Sequence, residues 1–512
     1  MRKSSCIFVN IIIKCRLCIG RFCYTRPAGC FKKIGVIKAM AKKATANNAM
    51  ANNHADRLGE EKISKLLWEF SLPATVGMLV NAIYNIVDRL FIGHADGLEQ
   101  NGLAAITVAF PFMMIMMAFA IMLGVGGSTL FSIHLGRGKK EEADRFLGNA
   151  LILMTVFSLI ITVFGLLFLD NILAVFGASK AILPFAREYL SVILYGTLFQ
   201  TISMGLNNFI RANGSPNIAM ISMLIGAGFN IVFDAILIYG AGMGLRGAAL
   251  ATIGGQALSM LWGLLYFARN KATHFTRLMF RPQLSKMWHI ITTGIPAFVM
   301  NVVGSVLQAI LNSQLVQYGG DIALSAMGLV NSLQTFLVMP VIGINQGVQP
   351  IISFNFGARK LKRTHKALKL AMLAATVITG IGWLLSLFCS KQLILIFTTD
   401  PELLEMGAKF CFNWFAALLV VGFQIIGSNY FQAIGKPAFA TFLTMMRQII
   451  VLIPLILILP RFFGLYGITW AAPISDIFTG IVVAVWLGFY LKHQEKQFVQ
   501  TENQRTLAER HD

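Results

Sequence analysis

Charge is what this sequence has little of. Only 13% of its 512 residues are Asp, Glu, Lys or Arg. That is about half the share found in soluble globular proteins, so water is not the chain's main solvent. Acids are the scarcer sign, 22 against 43 basic residues, which leaves a net charge of +21. Cysteine is sparse beyond the first thirty residues: Cys6, Cys15, Cys18, Cys23 and Cys30 come early, and only Cys389 and Cys411 follow. The Cys-x-x-Cys at 15 and 18 has no histidine beside it, which argues against a metal site. No GxxxxGK[ST] occurs, so nothing here hydrolyses ATP. HExxH, GxSxG and His-rich metal spacings are likewise missing from the apolar stretches, so a membrane-embedded enzyme is disfavoured. The basic excess comes without any aromatic-basic module, which excludes a nucleic-acid partner.

Apolar residues make up 56% of the chain, in runs of about twenty that recur from Leu67 to Leu491. Each run is long enough to cross a hydrocarbon core of about 30 Å as a helix. Membrane strands need only about ten alternating residues, so helices are expected rather than a barrel. Basic residues are distributed unevenly over the intervening connections. One alternating set holds 17, among them Arg137, Lys139, Lys140, Arg211, Arg363 and Lys436; the other holds Lys180, Arg187, Arg246, Lys391 and Arg461. By the positive-inside rule the richer set and both termini are cytoplasmic. Residues 1–55 read as a disordered or misannotated leader, with Met40 or Met50 as alternative starts.

The chain is an internal duplication. Ser71-Leu-Pro-Ala74 returns as Gly294-Ile-Pro-Ala297, and Leu103-Ala-Ala105 as Leu324-Ser-Ala326. Gly136-Arg-Gly-Lys-Lys140 returns as Gly357-Ala-Arg-Lys-Leu361, and Gly214-Ser-Pro216 as Gly435-Lys-Pro437. Gly244-Leu-Arg-Gly247 returns as Gly464-Leu-Tyr-Gly467, and the offset drifts only from 223 to 220. Six spans are expected in the first copy, at about 68–94, 103–135, 146–169, 182–210, 216–240 and 245–268, and six more about 221 residues later. The expected fold is all-α and polytopic, with twelve transmembrane helices as two parallel six-helix repeats. The lobes are 56–268 and 289–492, joined by a basic linker at 269–288 and followed by a cytoplasmic tail at 493–512. Parallel repeats bind their substrate between them and suit a secondary transporter.

Acids inside such spans are costly and carry a functional expectation. Asp88 and Asp234 each follow a polar residue one turn earlier, in Tyr84-Asn-Ile-Val-Asp88 and Asn230-Ile-Val-Phe-Asp234. The second copy places Leu311 opposite Asp88 and Pro454 or Leu455 opposite Asp234. Packing duties should be similar in both copies, so these acids are expected to do something other than hold helices together. Asp476 has Gln256 opposite it and is either a cavity residue or a local cap, with Arg447 as a candidate partner. The run Phe112-Met-Met-Ile-Met-Met117 reads as packing rather than as a drug surface.

The six-plus-six repeat, the prolines opening spans 1 and 7, NIVDRLFIG at 85–93 and GAALAT at 247–252 together resemble the multidrug and toxic compound extrusion (MATE) family. TGIPAF at 293–298 and FTTD at 397–400 are similar to its bacterial MepA-type members. The resemblance covers about residues 60–492. It implies an antiporter that exports small amphipathic, often cationic compounds in exchange for H+ or Na+. It also implies an ion-coupling cluster whose positions match Asp88, Asn207, Asn230, Asp234 and Thr252. Another branch of the family places acids in spans 7 and 10, where this chain has Gln308 in span 7 and no acid in the body of span 10. Tyr84, Gln308 and Asp476 are candidate cavity residues, and Arg89, after Asp88, departs from the small polar residue of many relatives. No cofactor beyond the coupling ion is expected, and the partners are drug-like molecules and the bilayer around a monomer. A flippase for lipid-linked saccharides is the alternative; twelve spans and buried acids argue against it.

Overall fold

The computed structural model describes residues 57–93, 99–270, 276 and 279–508. The leader, with its cysteines, and the side chain of Arg89 lie outside the described residues. Helices are the only regular structure among the described residues. Span 1 is Ile63–Gly93, span 2 Glu99–Gly136 and span 3 Lys140–Leu167. Span 4 is a pair, Leu183–Tyr195 and Thr197–Ala212, bent by 52°. Span 5 runs through Pro216–Asp234 into a π-helix, Ala235–Gly240, and span 6 is Gly244–Arg269.

The second copy opens with a continuous helical stretch, Leu284–Gly357. Its 74 residues would measure about 110 Å as one straight helix, several bilayer cores. It is two helices joined at Gly320, whose φ of 66° and ψ of −163° only glycine adopts readily. The chain doubles back there. Gly294, before the break, abuts the Met122 carbonyl, while Gln349, after it, donates to Thr129 Oγ1 at 2.8 Å, so both halves lie along span 2. These halves are spans 7 and 8. Span 9 is Leu361–Phe388. Span 10 is the pair Pro401–Trp414 and Leu418–Ala433, bent by 49°. Span 11 runs from Pro437 to Ile458, again through a π-helical segment, Met446–Leu452, and span 12 lies within Pro460–Ala508. Among the described residues nine helices are long and apolar enough to cross a membrane, the two bent pairs raise that to eleven, and the break at Gly320 divides one of them to give twelve.

The repeat is visible in the backbone. Gly214 and its counterpart Gly435 have φ of 86° and 74°, and Gly244 and Gly464 have 55° and 57°. Outward faces carry apolar stripes at helical spacing. Leu159, Ile160 and Val163 on span 3 are all more than half exposed, as are Leu373, Val377 and Ile381 on span 9. Large exposed apolar faces of this kind suit lipid as the surrounding solvent. The tail differs from a simple appendage: helix continues past 492 to Ala508, and Gln494 accepts a hydrogen bond from the Tyr430 hydroxyl at 3.0 Å. Phe112 and Met116 of the methionine run are buried within the first lobe.

The lobes meet along one seam, at the end where spans 2 and 8 terminate. There Gly136 abuts the Phe354 carbonyl and Gly357, its counterpart, abuts that of Ile133. Ser132 donates to the Pro350 carbonyl at 3.1 Å, and Gly343 and Gly347 of span 8 press on Thr75 and Ser71 of span 1. The rings of Phe119 and Phe298, 4.8 Å apart, lie farther along it.

Candidate functional site

Spans 1, 5 and 6 come together tightly enough to bury polar groups because small residues line their seams. Gly77 of span 1 faces Met223 of span 5. Between spans 5 and 6 the backbones touch: a Cβ on Gly255 would stand 2.5 Å from the Gly226 carbonyl oxygen. Ser222 and Ser259 each donate to the other's carbonyl, at 3.2 and 2.8 Å, one turn further along. One turn in the other direction, Asn230 Nδ2 donates to Thr252 Oγ1 at 3.3 Å. A further turn on, Asp234 sits at the last α-helical residue before the π-helical segment, a place where helices commonly carry function.

Asp234 is fully buried and Asp88 nearly so, at 0% and 8% exposure. Their carboxylates lie close enough to interact directly. Both oxygens of Asp234, Oδ1 of Asn230 and Oδ1 of Asn207 are buried without a hydrogen-bond partner among the described residues. Buried polar atoms are normally satisfied, so four orphaned acceptors in one lobe need an explanation. Each is a hard oxygen that accepts and cannot donate in the ionised or amide form. A proton on a carboxylate or a small hard cation supplies what they lack.

The structure therefore brings together Asp88 with Asp234, and Asn230 with Thr252, on three packed helices. Asn207 is buried on span 4, which packs against span 5, and its Nδ2 donates to the Ser203 carbonyl at 3.1 Å. No contact joins Asn207 to the other four in the described hydrogen bonds. Tyr84 is half-buried on span 1. Gln308 is exposed on span 7 and donates to Asn312 at 2.9 Å, a pair within its own helix. Among the described residues no group of three or more His, Cys, Asp or Glu side chains is gathered as for a metal ion.

Asp476 is in a different situation. Arg447 Nε donates to its Oδ1 at 2.9 Å, and Ser475 Oγ donates to the Arg447 carbonyl at 3.0 Å. Arg447, the candidate partner named from the sequence, does pair with Asp476. Allowing for the repeat offset, Arg447 occupies the place of Gly226 and Ser475 that of Gly255. The second lobe thus fills with an ion pair the seam that the first lobe closes backbone to backbone. Sequence reasoning also missed Arg211. Counted among the loop cations, it is buried in the last turn of span 4 and donates to Asn208 Oδ1 at 2.8 Å. Its signal was there: Asn208 lies three residues earlier, within reach on the same helix face.

The sequence profile of the MatE family matches residues 73–236 and 296–458, one copy in each lobe. The chain is 32% identical over 418 residues to the multidrug export protein MepA of Staphylococcus haemolyticus (strain JCSC1435), covering 81% of this chain and 91% of that protein. The MepA protein of Staphylococcus aureus (strain N315) is 30% identical over 416 residues, with the same shares covered. A crystal structure of a MATE protein in the bent conformation superposes with a TM-score of 0.82 at 25% identity, covering 87% of this chain and 99% of that one. An outward-facing multidrug resistance MATE transporter of the MOP superfamily superposes at 0.80, also with 25% identity, covering 86% and 98%.

Proposed function

The chain belongs to the MatE family, and from that premise we propose that it exports small amphipathic, commonly cationic compounds across a bacterial inner membrane in exchange for H+ or Na+. It does so as a monomer with both termini cytoplasmic, and the coupling ion binds at Asp88 and Asp234, with Asn230, Thr252 and Asn207 as supporting oxygens. The observation that carries this reading is the set of buried acceptors without donors on Asp234, Asn230 and Asn207, beside a second carboxylate.

The proposed cycle needs two states and one moving lobe. Two carboxylates side by side in a low dielectric repel each other strongly, so a cation between them relieves the repulsion. Loading from outside draws Asp88 toward Asp234 and changes how spans 1 and 5 pack at Gly77 and Met223. That rearrangement lowers the affinity of the cavity between the lobes for a cationic compound, which leaves outward. The drug-free carrier, still holding its ion, then parts at the seam joining spans 2 and 8, opens to the cytoplasm, releases the ion there and binds its next substrate. The basic loops at that seam, among them Arg137, Lys139, Arg359 and Lys360, support a cytoplasmic placement by the positive-inside rule.

Ion and drug must then bind the same carrier with negative coupling, and the coupling must be reciprocal. The purified protein in detergent tests this without any membrane. The Kd of a fluorescent cationic dye, measured against pH and against Na+, should weaken as the coupling ion is added. Asp234→Asn should flatten that dependence. A dye affinity that ignores both ions in the wild type would remove the basis of the proposal.

A further inference from the structure

Outside the carboxylate cluster, the chain entering each lobe makes a similar contact with the opposite lobe at the seam. The chain entering span 1 rests on the second lobe. Asn355 Nδ2 and Arg363 Nη2 both donate to the Leu58 carbonyl, at 2.8 and 3.2 Å. Arg363 Nη2 also donates to the Glu61 carbonyl at 2.6 Å, and Lys360 Nζ donates to that of Gly59 at 3.0 Å. Arg363 Nε donates to Asn355 Oδ1 at 2.9 Å, so the two side chains brace each other. Leu58 and Gly59 lie in the helical residues 57–60 and Glu61 just beyond them, at a helix end whose backbone acceptors lack intrahelical donors and attract cations.

The chain entering span 7 rests on the first lobe in the same manner. Asn149 Nδ2 donates to the Arg281 carbonyl at 3.3 Å, and the Gln283 backbone N–H donates to Asn149 Oδ1 at 2.8 Å. Lys286, in the first turn of span 7, pairs with Glu142 of span 3 and lies 4.9 Å above the Phe146 ring. Under the offset of 221 to 223, Leu58 corresponds to Arg281 and Arg363 to Glu142. A corresponding carbonyl is held in both copies, but by side chains the repeat does not relate: the offset puts Leu370 opposite Asn149 and His134 opposite Asn355. The apolar residues follow the polar ones: Leu58, Leu66 and Phe70 are buried among second-lobe side chains, and Met279 and Ile290 among first-lobe side chains.

We propose that these two exchanged lead-in segments form a paired latch that holds the lobes together at the end where spans 2 and 8 terminate, and that both halves must release before that end opens. The inference rests on the alternating-access reading. It adds which bonds set the balance between the two states. Arg363 and Lys286 act on the lobes' positions and touch neither the ion cluster nor the substrate. Each half closes an independent set of contacts, so their effects on the opening equilibrium multiply.

Spin labels at Lys140→Cys and Lys362→Cys, both exposed at this end of opposite lobes, report the separation by pulsed dipolar spectroscopy. The full chain is used, with its seven native cysteines replaced by serine or alanine. Distances are recorded with and without a cationic dye, at high and low Na+, and at two pH values. Arg363→Ala and Lys286→Ala should each raise the long-distance population at least tenfold, and the double variant by about the product of the two. Arg363→Lys should fall between, because a point charge replaces a fork that grips two carbonyls. Lys366→Ala, on the exposed face of the same helix, should leave the distribution unchanged. If the wild type separates under some condition and both alanine variants, still folded by their melting temperature, separate to the same extent, the latch is overturned. If the wild type never separates under any condition, the alternating-access reading fails and the latch with it.

Discussion

Substituting Gly255 with alanine should weaken the coupling ion without touching any of its ligands. Spans 5 and 6 meet there backbone to backbone, and the new Cβ would lie 2.5 Å from the Gly226 carbonyl oxygen. Ordinary contact needs about 3.5 Å, so the seam must widen by about 1 Å. Asn230 lies one turn from Gly226 and Thr252 one turn from Gly255, and their hydrogen bond is already long at 3.3 Å. It does not survive that widening. A buried polar group that loses its partner costs about 1–3 kcal/mol. If the cost falls on the ion-loaded state, affinity drops about five- to 140-fold, at 1.4 kcal/mol per factor of ten. The assay is dye export at graded ion concentrations, read as the half-saturating concentration. Gly228→Ala is the control: it adds the same methyl to span 5 in open space and should change nothing. Wild-type half-saturation in Gly255→Ala would refute the link between this seam and the ion site.

The Arg447–Asp476 pair should behave as a structural element of the second lobe. Asp476→Asn leaves a cation largely buried without its partner, at a cost of about 3–5 kcal/mol, and should lower the melting temperature in detergent. Arg447→Met with Asp476→Leu should recover most of that loss; failure to recover would point to a role beyond packing. At the entry to span 1, the Arg57 guanidinium, with Lys65, holds the Glu61 carboxyl below its usual range. That contribution is complete above the unfolded carboxylate pKa of about 4.3 and is lost as pH falls through the lower folded value. The pair is partly exposed, so it is worth at most about 1 kcal/mol. Melting temperature should therefore drop slightly more below pH 4 in the wild type than in Glu61→Gln, and equal slopes would deny the pair any stabilising role.

Much of the fold was legible because apolar run length and an internal repeat report span number directly. The bends inside spans 4 and 10 were not, since Gly196 and the 415–417 step interrupt no apolar run; span 4 turns where a side chain at Gly196 would collide with Ile253. The two acids at the site were legible from the cost of charge in an apolar helix and from their absence in the second copy. Asn207 and Thr252 carried no such signal, being ordinary polar residues, and came only from the family resemblance. The partnership of Arg447 with Asp476 depends on which way two apolar helices face, and fully apolar helices do not disclose that. The exchanged lead-in segments were hidden for a simpler reason. Their acceptors are backbone carbonyls, which every residue has.

The central claim is that Asp88 and Asp234 couple an ion gradient to export. Uptake of a cationic dye into everted membrane vesicles, driven separately by imposed proton and sodium gradients, tests it most directly. Wild type is compared with Asp88→Asn and Asp234→Asn at matched protein levels. The account predicts gradient-dependent uptake in the wild type, under one of the two ions, and none in either variant. Equal uptake in both variants would contradict it and move the coupling site elsewhere in the chain.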